Sequence, residues 1–228
     1  MAIDDITSVF QEKSEEIEAA TNGIVISPQT FRDYYAILIQ YYMQDRESRG
    51  IGTYIVGLQG DQGGGKTSLS TILEICLRGL GYKVKKFSVD DFYMSNEERL
   101  RLAEVHPGNP FYQISRGLPG THRIGELTEV IRKAKEGWDF DIPIFDKSLH
   151  HGRGDITDRL IHVREAQDFV ICEGWALTIP YVEPSEFIAI MEENPYIKRI
   201  FDDLDPAHRF FNVVLEHVKT YQGALPLL

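Results

Sequence analysis

The sequence predicts an α/β fold in which a mostly parallel sheet carries helices on both faces. The first observation is the segment DFVICEGW (168–175), which is apolar almost throughout and is therefore typical of a strand covered on both sides. The second is the alternation of short β-branched runs with helical patterns between residues 51 and 180. Because parallel strands need crossover connections, usually helical ones, this alternation favours a parallel sheet.

The first 50 residues are predicted to form helices that precede the sheet. Apolar residues recur at helical spacing over 4–20, and the TNG sequence that follows supplies a stop. Ser27 and Pro28 suit the N-cap and first position of a longer helix that ends before Gly50. We expect the buried face of this helix to consist of Phe31, Tyr34, Tyr35, Leu38 and Tyr42.

The remaining elements follow from local patterns along the chain. We predict strands at 53–58, 83–89, 142–145 and 168–175, and helices at 66–78, 95–106 and 124–136. Residues 181–228 are expected to form helices punctuated by prolines. The whole chain, 1–228, is interpreted as one domain with an N-terminal helical extension (1–50), a core (51–180) and a helical tail (181–228).

Composition and charge exclude several classes of function. The 228 residues carry 24 basic and 35 acidic side chains, a formal net charge of −11, which repels nucleic acid and anionic lipid. No basic patch, signal-peptide pattern or membrane-length apolar run is found in the sequence. We therefore expect a cytoplasmic protein that acts on small molecules and binds neither nucleic acid nor membrane. Cys76 and Cys172 lie in apolar runs and are interpreted as small buried hydrophobes.

A phosphate-binding loop follows the first predicted strand of the core. Residues 60–67 match the pattern G-x-x-x-x-G-K-[ST], in which glycines allow backbone N–H groups to surround phosphate oxygens at a helix N-terminus. Lys66 would contact the β- and γ-phosphates, and the Thr67 hydroxyl would bind Mg²⁺. The alternative interpretation of residues 60–67 is a Gly-rich hairpin without a ligand. Because the loop lies between a predicted strand and a predicted helix, a binding site for ATP and Mg²⁺ is favoured. The predicted nucleotide-binding residues are Gly60, Asp61, Gln62, Gly63, Gly64, Gly65, Lys66, Thr67 and Ser68.

Acidic residues stand at the ends of two predicted strands. Asp90 and Asp91 end the strand that follows the loop's helix, at the sheet edge where ligands bind in parallel α/β folds. They could accept a hydroxyl proton or hold Mg²⁺, or they could merely cap the next helix. Glu173 ends the most apolar strand, where a carboxylate is costly unless a metal or donors compensate it. A residue that simply reaches solvent is the alternative for Glu173.

Five blocks of sequence, in a fixed order, resemble those of a known protein family. They are GLQGDQGGGKTSLS, VDDFYMSNEERLRLAE, NPFYQISRGLPGTHRIGEL, IPIFDKSLHHGRGD and FVICEGWAL, spread over roughly residues 50–180. Together they resemble the D-glycerate 3-kinase group of the uridine kinase and phosphoribulokinase branch of P-loop kinases. The resemblance implies a P-loop NTPase fold and transfer of a phosphoryl group from MgATP to a small hydroxy acid.

The resemblance also assigns expected roles. It implies that Asp90, rather than Asp91, is the catalytic base alongside the catalytic Lys66. It places Glu173 at the Walker B position, with Thr67, Asp90 and Glu173 as the metal-binding set. The RGLPGTH and DKS blocks are expected to face the acceptor, where Arg116 and Lys147 would bind a carboxylate, although each could be a solvated surface cation. The substrate-facing residues implied in this way are Asp91, Tyr93, Arg116, Thr121, His122, Asp146 and Lys147.

Two departures from the group's pattern leave alternatives open. Arg123 stands where the group usually has an acid, which adds positive charge beside the acceptor loop. A W-R-x-x-x-E lid segment is not found after Trp175, so we expect no lid and slow turnover. A nucleotide-binding regulatory or assembly protein, or a kinase for a nucleoside or a pantothenate-like alcohol, therefore remains a second hypothesis. The three histidines His150, His151 and His162 are interpreted as ordinary polar residues.

Overall fold

A computed structural model gives the architecture and describes residues 1–113, 116–117, 119–175, 177, 183–204, 213–214 and 216–219. The strands are β1 (Tyr54–Gln59), β2 (Val84–Ser88), β3 (Phe140–Asp146), β4 (Asp155–Val163) and β5 (Phe169–Gly174). Within the described residues, β1, β5 and β2 form a parallel sheet in that order, with β5 at its centre. β3 and β4 form a separate antiparallel pair.

Helices precede, connect and follow these strands. They are α1 (Ile3–Glu12), α2 (Ser14–Ala20), α3 (Pro28–Thr30), α4 (Ile37–Arg49), α5 (Lys66–Gly79), α6 (Asn96–Val105), α7 (Ile124–Lys135), α8 (Leu149–Gly152), α9 (Pro184–Glu193) and α10 (Pro195–Leu204). A π-helical segment, Phe31–Ala36, joins α3 to α4. The short α8 is one turn that contains two left-handed residues, His150 and His151.

The central strand β5 is buried along its whole length, as its composition predicts. Phe169 and Ile171 belong to a core shared with α1, α4 and α5, whereas Val170 and Cys172 belong to a core shared with α7 and β3. Since alternate side chains of a strand point to opposite faces, both faces of the sheet are covered. Each such apolar side chain contributes about 1.5–3 kcal/mol on burial. The predicted α/β fold is confirmed.

The helical segment 28–49 begins and ends where the local signals predict. Ser27 Oγ accepts a hydrogen bond from the Thr30 backbone N–H at 3.0 Å, as an N-cap should. Gly50 ends α4 in the left-handed conformation with φ of 61°. The single helix predicted over 4–20 is instead two helices, because Lys13 leaves helical geometry with φ −100° and ψ 4°.

For the helix predicted between Ser27 and Gly50, the predicted buried face is wrong at Tyr34, which is 72% exposed. The cause is the π-helical segment, whose i→i+5 bonding places one extra residue in a turn. That extra residue rotates the following positions around the helix axis. The residues that are buried are Phe31, Ala36, Ile39 and Met43.

Strand β4 has no counterpart among the predicted elements. It pairs antiparallel with β3 from Asp155 to Val163, with a register shift between Pro143 and Phe145. Most of its side chains are exposed or half-buried, so it lacks the apolar alternation from which a strand is predicted.

The parallel register brings the carboxyl ends of β1, β5 and β2 together. Leu58 in β1 pairs with Glu173 in β5, and Glu173 pairs with Ser88 in β2. The phosphate loop after β1, Glu173 itself and the segment after Ser88 therefore meet at the carboxyl edge of the sheet.

Other expectations concern the cysteines and the tail. Both cysteines are buried, and burial raises the pKa of each thiol, to about 12 for Cys76. The tail forms α9 and α10, while the sequence after 204 lies largely outside the described residues. The expected absence of a lid segment is therefore not tested over the whole tail. In the part of the chain that is described, no helix has the length and apolar character needed to cross a membrane.

Candidate active site

The loop between β1 and α5 has the backbone that its glycines allow. Gly63 and Gly65 have φ of 75° and 80°, a conformation that other residues rarely adopt. A Cβ on Gly64 would lie 3.1 Å from the Asp61 carbonyl oxygen, which also accepts the Gly64 N–H at 3.0 Å. The loop thus needs glycine for both conformation and space, and it leads directly into the N-terminus of α5.

Lys66 and Thr67 open α5 and have different partners. Lys66 Nζ donates to the Asp61 carbonyl at 2.8 Å, and Thr67 Oγ1 donates to Glu173 Oε1 at 2.9 Å. Glu173 is 8% exposed at the end of β5. The hydroxyl and carboxylate are oxygen ligands of the kind that Mg²⁺ prefers. Among the described residues, no cluster of three or more acidic, histidine or cysteine side chains that could hold a metal ion is found.

The two aspartates after β2 occupy different environments. Asp91 Oδ2 accepts the Ser88 backbone N–H at 2.9 Å in a short 3₁₀ turn, Val89–Phe92. Burial, opposed by this hydrogen bond, raises the pKa of Asp91. Asp90 instead lines the main cleft, where Lys147 Nζ lies 2.7 Å from its Oδ2. Asp91 is absent from that lining and lines a smaller cavity together with Thr67 and Glu173.

An aromatic pair forms one wall of the cleft on the acceptor side. The rings of Tyr93 and His122 are stacked with centroids 4.0 Å apart, and the two residues form an isolated β-bridge. Burial lowers the pKa of His122 to about 4 and, with the nearby Asp90, raises the pKa of Tyr93. Both side chains are therefore neutral near pH 7.

Arg116 and Lys147 contribute positive charge to the same cleft. The Arg116 guanidinium lies over the Phe145 ring at 5.9 Å and donates to the Lys147 carbonyl oxygen at 3.4 Å. The cleft encloses about 500 Å³. Its lining residues are Gln62, Gly63, Lys66, Thr67, Ser88, Asp90, Tyr93, Arg116, Gly117, His122, Lys147, Glu173, Gly174 and Trp175.

Several residues expected at the site do not line this cleft. Thr121 is buried behind it, and its carbonyl accepts the Met94 N–H at 2.8 Å. Asp146 accepts both the hydroxyl and the backbone N–H of Ser148, which hold its pKa below the usual value. From the phosphate loop, Gly60, Asp61, Gly64, Gly65 and Ser68 are likewise absent from the lining.

Arg123, expected to add charge beside the acceptor loop, does not line the cleft. Its guanidinium pairs with Glu126 at 2.5 Å and donates to the Tyr93 carbonyl oxygen at 3.3 Å. Its positive charge is therefore balanced within α7. His150 and His162 pair with Asp155 and Asp141, which agrees with their interpretation as ordinary polar residues.

Arg99 lies beside this site rather than in its lining, and sequence reasoning gives it no role. It is 6% exposed, and its guanidinium donates to the carbonyls of Met94, Arg153 and Gly154 at 2.6–2.8 Å. It also lies over the Phe145 ring at 5.2 Å. Because the carbonyls of Arg153 and Gly154 are 54 and 55 positions away in sequence, no local signal reveals this role.

The sequence also gives no role to four lining residues, Ser88, Gly117, Gly174 and Trp175. Two signals could have found some of them. Ser88 ends β2, and Trp175 follows Glu173-Gly174 at the same sheet edge, where side chains of parallel sheets meet ligands.

Comparison with known proteins agrees with this geometry. No family model matches the chain. The D-glycerate 3-kinase structure from Cryptococcus neoformans superposes with a TM-score of 0.71 over 83% of this chain and 67% of that chain, at 24% identity. The chain has a P-loop kinase fold.

Two curated relatives carry the resemblance in sequence. "Uncharacterized kinase mug58" from Schizosaccharomyces pombe is 39% identical over 127 residues, which are 54% of this chain and 46% of that protein. The chloroplastic D-glycerate 3-kinase of Arabidopsis thaliana is 33% identical over 129 residues, 54% of this chain and 28% of that protein. The predicted resemblance to the D-glycerate 3-kinase group is confirmed, and the chain spans half or less of the length of these relatives.

Proposed function

We propose that the chain is an ATP-dependent kinase that transfers the γ-phosphoryl group of MgATP to a hydroxyl of a small hydroxy acid, with glycerate as the first acceptor to test. The observation that carries this proposal is the position of Asp90. It lies in one cleft with Lys66 of the phosphate loop and with the two acceptor-side cations, Arg116 and Lys147. The names of the relatives support the same class of reaction.

The nucleotide end of the cleft is suited to a triphosphate. The glycine backbone and the N-terminus of α5 offer N–H groups and positive dipole to phosphate oxygens, and Lys66 adds a full charge. Thr67 and Glu173 would hold Mg²⁺, which neutralises charge that develops on the phosphate oxygens.

The transfer step needs little covalent chemistry from the protein. An acceptor oxygen attacks the γ-phosphorus in line, its bond to phosphorus forms while the bond to the β-γ bridging oxygen breaks, and ADP leaves with that electron pair. The hydroxyl proton passes to the carboxylate of Asp90, which lies on the cleft surface. Positioning and charge neutralisation supply the rest of the acceleration.

The acceptor end favours an anion over a neutral alcohol. Arg116 can bind a carboxylate through two parallel hydrogen bonds, and Lys147 can add a point charge beside it. The neutral Tyr93–His122 pair offers an apolar wall for a short carbon chain.

A panel of acceptors tests the proposal. Glycerate and glycerol form a matched pair, because they differ only in a carboxylate against a hydroxymethyl group, and a nucleoside and pantothenate represent the other acceptor classes. We expect ADP formation to rise with glycerate and not with glycerol. Nucleotide binding without stimulation by any acceptor would indicate a regulatory protein instead, and stimulation by the nucleoside alone would overturn the hydroxy-acid assignment.

A further inference from the structure

The proposed base is held by a cation of the proposed acceptor site. Lys147, on the loop after β3, places its Nζ 2.7 Å from Oδ2 of Asp90, on the turn after β2. The two residues are 57 positions apart and come from the two different sheets. The ammonium group therefore occupies part of the carboxylate that would take the proton of the acceptor hydroxyl, and its charge makes that carboxylate a weaker base.

This ion pair is of the kind that breaks readily. The Lys147 side chain is 59% exposed and the Asp90 side chain 34% exposed. Ion pairs with this exposure stabilise a protein by about 0–1 kcal/mol, because water and salt screen them. A competing carboxylate can thus take the lysine at small cost.

A second cation, Arg116, lies close enough to Lys147 to hold the competing carboxylate beside it. Arg116 donates to the carbonyl oxygen of Lys147 itself and shares the cleft with it. An anion bound by the Arg116 guanidinium would lie beside Lys147. Water and neutral alcohols have no charge with which to draw Lys147 away from Asp90.

We propose that Lys147 is an acceptor-operated latch on Asp90, which the acceptor's carboxylate releases by taking Lys147 together with Arg116. This inference rests on the proposed kinase function. Arrival of the anion at Arg116 moves Lys147 from one carboxylate to the other and leaves Oδ2 of Asp90 open to the acceptor hydroxyl. The carboxylate thus serves both as the feature that is recognised and as the signal that frees the base. Neutral molecules, water included, leave the latch closed.

A double-mutant cycle on acceptor binding tests the latch. The affinity for D-glycerate is measured by titration calorimetry, with Mg²⁺ and a non-hydrolysable ATP analogue present, for the wild type, Asp90→Asn, Lys147→Met and the double variant. If Lys147 must leave Asp90 to bind the acceptor, Asp90→Asn tightens binding by about two- to fivefold, the equivalent of the ion pair it removes. In the Lys147→Met background the same substitution gives no such gain.

The other results separate the latch from its alternatives. A gain of equal size in both backgrounds would mean that removal of a negative charge acts on the anion directly, and the latch would be wrong. Weaker binding in Asp90→Asn would also overturn it. If the wild type phosphorylates glycerate but the cycle shows no coupling, the latch alone fails. If the wild type neither binds nor phosphorylates any hydroxy acid, the proposed function fails and the latch with it. Circular dichroism checks that all four proteins are folded.

Discussion

Lys66 contributes to this site through its charge rather than through packing. It is half-buried at the start of α5, and its ammonium group contacts the Asp61 carbonyl of the loop. We expect Lys66→Ala to abolish phosphoryl transfer and to weaken MgATP binding while the fold survives. Circular dichroism and a nucleotide titration measure the two effects. Unchanged affinity and turnover would show that residues 60–67 do not hold the nucleotide.

The adjacent aspartates should respond differently to the same substitution. Asp90→Asn is expected to leave MgATP binding intact and to lower turnover by about 10²-fold or more, as for the loss of a general base. Asp91→Asn should cost less turnover, because Asp91 binds the Ser88 N–H and lies outside the main cleft. Steady-state kinetics of the two variants decide the order, and a larger loss in Asp91→Asn would reverse the assignment.

Asp91 also predicts a pH effect on stability. Burial raises its pKa in the folded protein above the usual 3.8, so the folded state holds the proton more tightly than the unfolded state. The contribution of Asp91 to the free energy of unfolding is therefore fully present below pH 3.8. It is lost as the pH rises through the higher pKa that Asp91 has in the folded protein. Asp91→Asn, which keeps an oxygen for Ser88, should therefore gain stability relative to the wild type between pH 4 and 7. A difference in Tm that does not change with pH would contradict this.

His122 predicts the opposite pH dependence. Burial lowers its pKa from 6.5 to about 4, so the unfolded state binds the proton first as pH falls. The folded protein is expected to lose up to about 3 kcal/mol between pH 6.5 and 4 through this residue. His122→Phe keeps a ring against Tyr93 and cannot be protonated, so its stability should fall less over this range. Chemical denaturation at several pH values measures the difference, with exposed His151→Asn as the control.

Between elements, Arg99 connects the start of α6 to the turn before β4. It satisfies three carbonyl oxygens from a buried position, so its removal leaves acceptors without donors. We expect Arg99→Met to lower the free energy of unfolding by about 3 kcal/mol and to raise the KM for the acceptor more than the KM for ATP. Denaturant titration and steady-state kinetics measure the two effects.

The matched control for Arg99 lies on the same helix. The Arg101 side chain is 69% exposed and pairs with Glu97 one turn away. Arg101→Met should change stability by no more than about 0.5 kcal/mol. Equal effects of the two substitutions would mean that the three carbonyl contacts of Arg99 do not stabilise the fold.

Elements defined by adjacent residues could be predicted from the sequence, and those defined by distant contacts could not. The caps at Ser27 and Ser95, the stop at Gly50 and the loop at 60–67 depend on residues within a few positions of one another. By contrast, the π-helical segment that exposes Tyr34 leaves no mark in the apolar spacing. Strand β4 depends on pairing with β3 rather than on its own pattern.

The same difference between local and distant contacts decides which parts of the candidate site could be predicted. The phosphate loop, Asp90 and Glu173 stand at strand ends whose position is set by the parallel sheet, so a coarse fold prediction already places them together. The ion pair between Lys147 and Asp90, the buried contacts of Arg99 and the pairing of Arg123 with Glu126 depend on how loops fold over the sheet edge. No local sequence pattern around these residues indicates that they are in contact, so the contacts could not be predicted.

At the scale of the whole molecule, the fold concentrates positive charge in one place on an acidic chain. The net charge is −11, yet three cations, Lys66, Arg116 and Lys147, line one cleft at the sheet edge beside two carboxylates, Asp90 and Glu173. Three positive against two negative side chains leave the cleft with a small net positive charge, which favours anions there over the rest of the acidic surface. The proposed substrates, ATP and a hydroxy acid, are both anions.

Phosphorus NMR of the products tests this account most directly. The wild type is incubated with MgATP and either D-glycerate or glycerol, with Lys66→Ala as the inactive control. The account predicts a phosphomonoester of glycerate that accumulates together with ADP, little or no ester with glycerol, and neither product with Lys66→Ala. Release of inorganic phosphate alone, at a rate that does not depend on glycerate, or equal ester formation on glycerol would contradict it.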